Sequence, residues 1–138
     1  MCVYLTKSKQ NIKCADMMLA MGLPMAVASS HSAYYSVFQM MKYVLAQFMG
    51  VSYEQQNDTT KGKDSHESLL KIFLNLLKTK VGKPNIIIGI LSIYQSIKKM
   101  RSRCDYNTDK YTNEQLLTNV AKAKEFNSKM SNIFNFAI

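Results

Sequence analysis

The run from Ile86 to Tyr106, IIIGILSIYQSIKKMRSRCDY, narrows most what this chain can fold into. Wound at about 100° per residue, it sets Ile86, Ile90, Ile93, Ile97, Met100 and Cys104 on one stripe, the pattern of an amphipathic helix facing a core. Lys99 and Arg103 fall on the far side. Arg101 does not: it follows Ile97 by one turn and Tyr94 by two, which places it inside the apolar arc with Asp105 at the edge. A guanidinium there needs partners or a wet cleft, because burying an unpaired charge is costly. Two readings stay open, a structural pair with Asp105 or a ligand-binding group.

The same period runs through the rest of the chain. Leu5, Ile12, Ala15 and Leu19 mark a first helix over about residues 3–20, closed by Gly22 and followed by Pro24 at the head of the next. Val27, Tyr34, Phe38, Met41, Leu45 and Phe48 stripe a long second helix. Its other face, with Ser29, Ser32, Ser36, Gln39, Met25 and Tyr43, carries no charge from Pro24 until Lys42. Such a face is expected to be covered, by another helix or by a second subunit. Gly50–Lys63 is polar and aperiodic and reads as a long connection. Asp64 and Glu67 have capping-box spacing before a third helix with Leu69, Leu70, Ile72, Phe73, Leu76 and Leu77; His66 lies on the apolar side of its first turn. After the fourth helix, Asn107, Thr108 and Asp109 form a break, and Thr112 with Gln115 opens a fifth helix striped by Leu116, Leu117, Val120, Ala123, Met130 and Phe134. No segment alternates with the period of a strand. The expectation is an all-α, five-helix antiparallel up-and-down bundle forming a single domain over residues 1–138.

Charge and composition limit the function classes. The net charge of +9 favours polyanionic partners, nucleic acid before an acidic membrane surface, and the densest basic run is Lys98, Lys99, Arg101 and Arg103. Cys2, Cys14 and Cys104 are odd in number and lack metal-ligand spacing, which points to a reducing, cytoplasmic setting and to no metal site. The N-terminus lacks the pattern of a secretory signal, and no apolar run reaches the length of a membrane span, so no membrane partner is expected. There is no Gly-rich phosphate loop, no HExxH zinc pattern around His31 or His66, and no pair of Glu-x-x-His motifs for a di-iron site. No cofactor is expected. The aromatic residues sit at core spacing, so a base-stacking platform is not indicated.

Three segments together resemble the HEPN superfamily, all-α domains often found beside minimal nucleotidyltransferases in toxin–antitoxin and defence systems. His31-Ser32-Ala33-Tyr34-Tyr35-Ser36-Val37-Phe38 is similar to that family's Arg-Ala-Tyr-Tyr-Ala-x-Phe, with Ser32 where Arg is common. Ser65-His66 is similar to the His that opens the third helix in one branch. Arg101-Ser102-Arg103-Cys104-Asp105-Tyr106 resembles that branch's Arg-x-x-Ala-Asp-Tyr. The resemblance spans about Tyr4 to Asn135 and implies a HEPN-like four-helix core plus one helix.

It also implies a function. Active members carry an Arg followed by a His about four to six residues later, brought together in pairs by two subunits to cleave RNA without metal: a base takes the 2′-hydroxyl proton and the guanidinium stabilises charge on the phosphate. This chain keeps the Arg and lacks that His. Tyr106, with an ordinary pKa of about 10, and Asp105, at about 3.9, are weak substitutes as bases near neutrality. The expectation is therefore a homodimeric binding or regulatory module for RNA or nucleotide, partnered by a nucleotidyltransferase, with Lys98, Arg101, Arg103, Tyr35 and His66 as binding residues. The alternative is a metal-independent endoribonuclease using Arg101 with Asp105 or Tyr106. A third reading is a helical adaptor in which Arg101 only pairs with Asp105.

Overall fold

The computed structural model describes residues 3–62, 64–106 and 111–138, and these are all-helical, with six helices. They are α1 (Val3–Ala20), α2 (Leu23–Phe48), α3 (Tyr53–Thr60), α4 (Ser65–Val81), α5 (Pro84–Tyr106) and α6 (Asn113–Phe134). The break placed at Asn107–Asp109 lies outside the described residues. No helix among those described is long and apolar enough to cross a membrane.

The helix absent from the sequence reading is α3. Within the stretch read as a connection, Tyr53–Thr60 is helical, because Ser52 and Gln55 form a capping box: the Gln55 N–H donates to Ser52 Oγ at 3.2 Å and the Ser52 N–H to Gln55 Oε1 at 2.9 Å. Without an apolar stripe, α3 is held instead by buried polar groups one turn apart, Gln56 and Thr60. Gln56 Nε2 donates to the carbonyls of Lys42 and Val51, at 3.1 and 3.0 Å, tying α3 to the end of α2.

Helix α2 is the axis of the fold and touches every other helix. That explains most of its uncharged face, since a charge at Ser29, Ser32 or Ser36 would have been taken out of water, while His31 and Met25 stay exposed. The face is covered from within the chain, by α1, along which α2 makes its most extensive packing. Small residues let the two backbones approach. Ser8 and Ser36 exchange hydrogen bonds across the contact, each hydroxyl donating to the other's carbonyl at 2.8 Å, and Ala15 and Ala33 are fully buried. A second subunit is not needed to cover this face.

The core is filled by Tyr34, Val37, Met41, Val44 and Leu45 of α2, Phe73 and Leu77 of α4, Ile90, Tyr94 and Ile97 of α5, and Phe126 and Met130 of α6. Three stripe positions differ from the sequence reading, the first being Phe48 at the end of α2, which is 38% exposed. Leu117 is 56% exposed, and on α5 the buried line runs through Ile87, Ile90, Tyr94, Ile97 and Cys104 while Ile86 turns outward. The α5 helix packs against α2, α4 and α6, so its buried arc is wide and centred nearer Tyr94 than Ile93. That rotation carries Arg101, seven residues after Tyr94, toward the interior.

Helix ends fix how the elements meet. Asp64 accepts the Glu67 N–H at 3.2 Å, but the reciprocal half of the expected capping box is not made; the Glu67 carboxylate bonds Lys98 of α5 at 3.0 Å instead. Gly82 ends α4 in the left-handed region, φ 63°, and lets α5 turn back antiparallel. Thr112 and Gln115 do form the expected capping box at the start of α6.

Candidate functional site

Three helices place aromatic and charged groups at one point. From the middle of α2 come Tyr34, Tyr35 and Phe38, from the first turn of α4 His66 and Glu67, and from α5 Tyr94, Lys98 and Arg101. The His66 ring lies flat on Phe38, centroids 4.0 Å apart and planes 3° apart. Its Nδ1 is 2.6 Å from the Tyr34 hydroxyl, which lies 3.1 Å from that of Tyr94. A fully buried Tyr needs a partner for its hydroxyl, and these two supply each other. The chain Tyr94–Tyr34–His66 therefore runs from the core to the half-exposed imidazole.

Arg101 completes the cluster from the other side. Its guanidinium carbon is 4.8 Å from the centre of the Tyr34 ring and 5.3 Å from that of Tyr35, within reach of both π faces. Thus one tyrosine, Tyr34, bonds the histidine through its hydroxyl and carries the guanidinium on its ring. Tyr35 is half-buried beside it, and the exposed His31 ring stands 4.7 Å further out. Lys98 flanks the opening through its ion pair with Glu67.

The electrostatics follow from this packing. Burial, then the charge of Arg101, pushes the His66 pKa below its ordinary value against the pull of Asp64, so the ring is a neutral imidazole near pH 7. Burial raises both phenols, Tyr94 the more strongly, and keeps them as hydrogen-bonding alcohols. Burial would lower the Lys98 ammonium, but the hydrogen bond and charge of Glu67 outweigh it and raise its pKa. The site thus offers fixed positive charge, a neutral ring nitrogen base and a half-open aromatic surface.

Of the residues singled out in the sequence, the structure brings Arg101, His66 and Tyr35 together and sets Lys98 at the rim. Arg103 is exposed on another side of α5. The side chains of Asp105 and Tyr106 lie outside the described residues; the two tyrosine rings are among the neighbours of Arg101. Sequence reasoning missed Tyr34 and Tyr94 as parts of the site. Their signal was present, since Tyr94 precedes Arg101 by two turns and a tyrosine on a core stripe must place its hydroxyl somewhere. The partner of both, His66, is 32 residues from Tyr34 and could be joined to it only in three dimensions. No protein-family model matches the chain, and neither a curated protein nor a solved structure matches it.

Proposed function

We propose that this chain is a HEPN-like helical module that binds RNA or nucleotide through the Arg101–His66 cluster, and that it acts beside a minimal nucleotidyltransferase in a toxin–antitoxin or defence system. The observation that carries the binding site is the meeting of Arg101 and His66 on a single tyrosine, Tyr34, within one chain. A guanidinium against two rings keeps its charge while part of its hydration is removed, and guanidinium groups recognise phosphate oxygens as a flat fork. Lys98 adds positive charge at the rim, and Tyr35 with His31 offers ring surface to a base. The homodimer implied by the family resemblance would have to use a surface other than the uncharged face of α2, which α1 fills.

Anisotropy titration of a labelled RNA at graded salt tests the proposal. Binding should weaken as salt rises. Arg101→Ala, which removes charge-assisted bonds, should weaken it by about tenfold with the fold intact. Equal affinity of Arg101→Ala and the parent would reject the site.

One observation favours a second reading, metal-independent RNA cleavage: a histidine with a lowered pKa stands beside the arginine, although it comes from α4 and not from the end of α5. In that reaction His66 would take the 2′-hydroxyl proton, the 2′-oxygen would bond to phosphorus, and the 5′-oxygen would leave and gain a proton from water. Arg101 would stabilise the charge on the phosphoryl oxygens. Here His66 takes the place the sequence gave to Asp105 or Tyr106. Cleavage in chelator that His66→Ala abolishes would support it; cleavage unchanged by His66→Ala and Arg101→Ala would end it.

A further inference from the structure

The 18 cations are spread along the chain, but the nine acids are not. Between Ser68 and Cys104, across α4 and α5, there are eight Lys and Arg residues and no Asp or Glu; elsewhere cations and acids nearly cancel. The α4–α5 hairpin therefore carries about two thirds of the net charge, its eight cations less Glu67 and Asp105 giving +6 of the chain's +9. Its two ends are of different chemistry. At the open end, Arg101 and Lys98 stand among tyrosines. At the closed end, about 22 Å away along α4 at 1.5 Å per residue, Lys78, Lys80 and Lys83 are exposed around the Gly82-Lys83-Pro84 turn.

Aliphatic surface is exposed among these lysines. Ile88 is 63% exposed and Ile86 37%, both in the first turns of α5, while Ile87 between them turns into the core. A cleft lined by Lys78, Gly82, Lys83, Pro84, Ile87 and Ile88 lies at the same turn. Lys80 lies over the Phe134 ring, which touches Phe48 at the end of α2, a further large apolar residue, 38% exposed. The apolar groups that line that cleft are aliphatic, and the nearest described rings, Phe134 and Phe48, lie beyond Lys80. Cations ringing aliphatic side chains match a surface with anionic phosphates above hydrocarbon.

We propose that the α4–α5 turn is a peripheral docking surface for an anionic phospholipid bilayer. Ile86 and Ile88 enter the headgroup–acyl boundary, and Lys78, Lys80 and Lys83 meet the lipid phosphates. The expectation of no membrane partner rested on the lack of a span, and adsorption of a turn requires none. The surface is separate from the Arg101–His66 cluster, so the two stand or fall independently.

Co-sedimentation of the full chain with vesicles is the test, using phosphatidylcholine alone and phosphatidylcholine mixed in about equal parts with phosphatidylglycerol. Binding should occur to the anionic vesicles only and fall with added salt. Each of Lys78→Gln, Lys80→Gln and Lys83→Gln should weaken it by about fivefold. The Ile86→Ser/Ile88→Ser pair, which leaves charge unchanged, should weaken it by about tenfold. Ile88→Ser alone alters the more exposed side chain and should give a smaller loss at an unchanged melting temperature. Arg101→Ala should bind vesicles like the parent. Absence of binding to anionic vesicles would overturn the proposal. So would parental vesicle binding by the two isoleucine variants, or lysine variants that lose RNA affinity and keep vesicle affinity, which would assign the turn to nucleic acid.

Discussion

Two polar clusters lie inside this bundle, and they are built on opposite principles. Where α1, α2 and α6 meet, Ser8, Ser36 and Asn127 form a sealed network of short neutral side chains. Both hydroxyls donate to main-chain carbonyls, so their oxygens can only accept, and Asn127 must present its NH2 group to them, 3.0 Å from Ser36. Where α2, α4 and α5 meet, the groups are a guanidinium, an imidazole and two phenols, partly open to solvent. The first cluster holds titration at bay and fixes which way three helices face. The second keeps an arginine and a histidine partly hydrated, which costs more to build and is the arrangement that the proposed binding site uses. The same helix, α2, serves both, one face for each.

If the contrast is right, damage to the first cluster should appear in stability and leave the binding groups alone. Ser36→Leu is expected to be the most severe change: it forces extra volume between α1 and α2 and takes away the nearer acceptor of Asn127, leaving it the Ser8 hydroxyl at 3.5 Å, for a loss of about 3 kcal/mol in chemical denaturation. Asn127→Ala should cost about 2 kcal/mol, since it opens a small hole and removes the bonds to both serine hydroxyls, the longer of them at 3.5 Å, while the two serines still bond each other's carbonyls. Equal losses from a conservative change on the exposed face, such as Ser128→Ala, would show that the network does not set the cost.

Most of the fold was readable because five helices have apolar stripes of ordinary period. The sixth, α3, has none, and its capping box at Ser52 and Gln55 is the one local sign that it forms. What covered α2 could not be read from α2: an uncharged face states that it is buried, and the identity of its cover depends on small residues in α1 such as Ser8 and Ala15. Arg101 was readable as inward-facing from its seven-residue spacing to Tyr94. His66 was readable only as a packed histidine, because its role depends on which ring lies beneath it and which hydroxyl meets Nδ1, and those come from a different helix. Even the charge pattern needed the fold, since an acid-free stretch gains meaning once α4 and α5 are seen to be one hairpin.

The second cluster should respond the other way, in binding before stability. Arg101→Lys keeps the charge and loses the flat fork, so it should recover only part of the RNA affinity lost in Arg101→Ala. Full recovery would mean that charge alone matters and that the contacts with Tyr34 and Tyr35 are incidental.

The smallest effect, and the most specific, is in the pH dependence of stability. The folded-state pKa of His66 lies below its unfolded value because of burial and the nearby Arg101 charge, so between the two values the unfolded chain holds more protons. Stability from this residue is therefore fully present above the unfolded pKa of about 6.5, and is lost as the pH falls through the folded pKa. Denaturation midpoints measured from pH 8 down to pH 5 should fall for the parent and fall less for His66→Gln, which cannot be protonated. Arg101→Ala should flatten the slope in part, since it removes the second cause of the shift and leaves burial in place. A parent slope unchanged in both variants would place the titration elsewhere and would mean that Arg101 and His66 do not sense each other, which is the coupling that separates this cluster from the sealed one across α2.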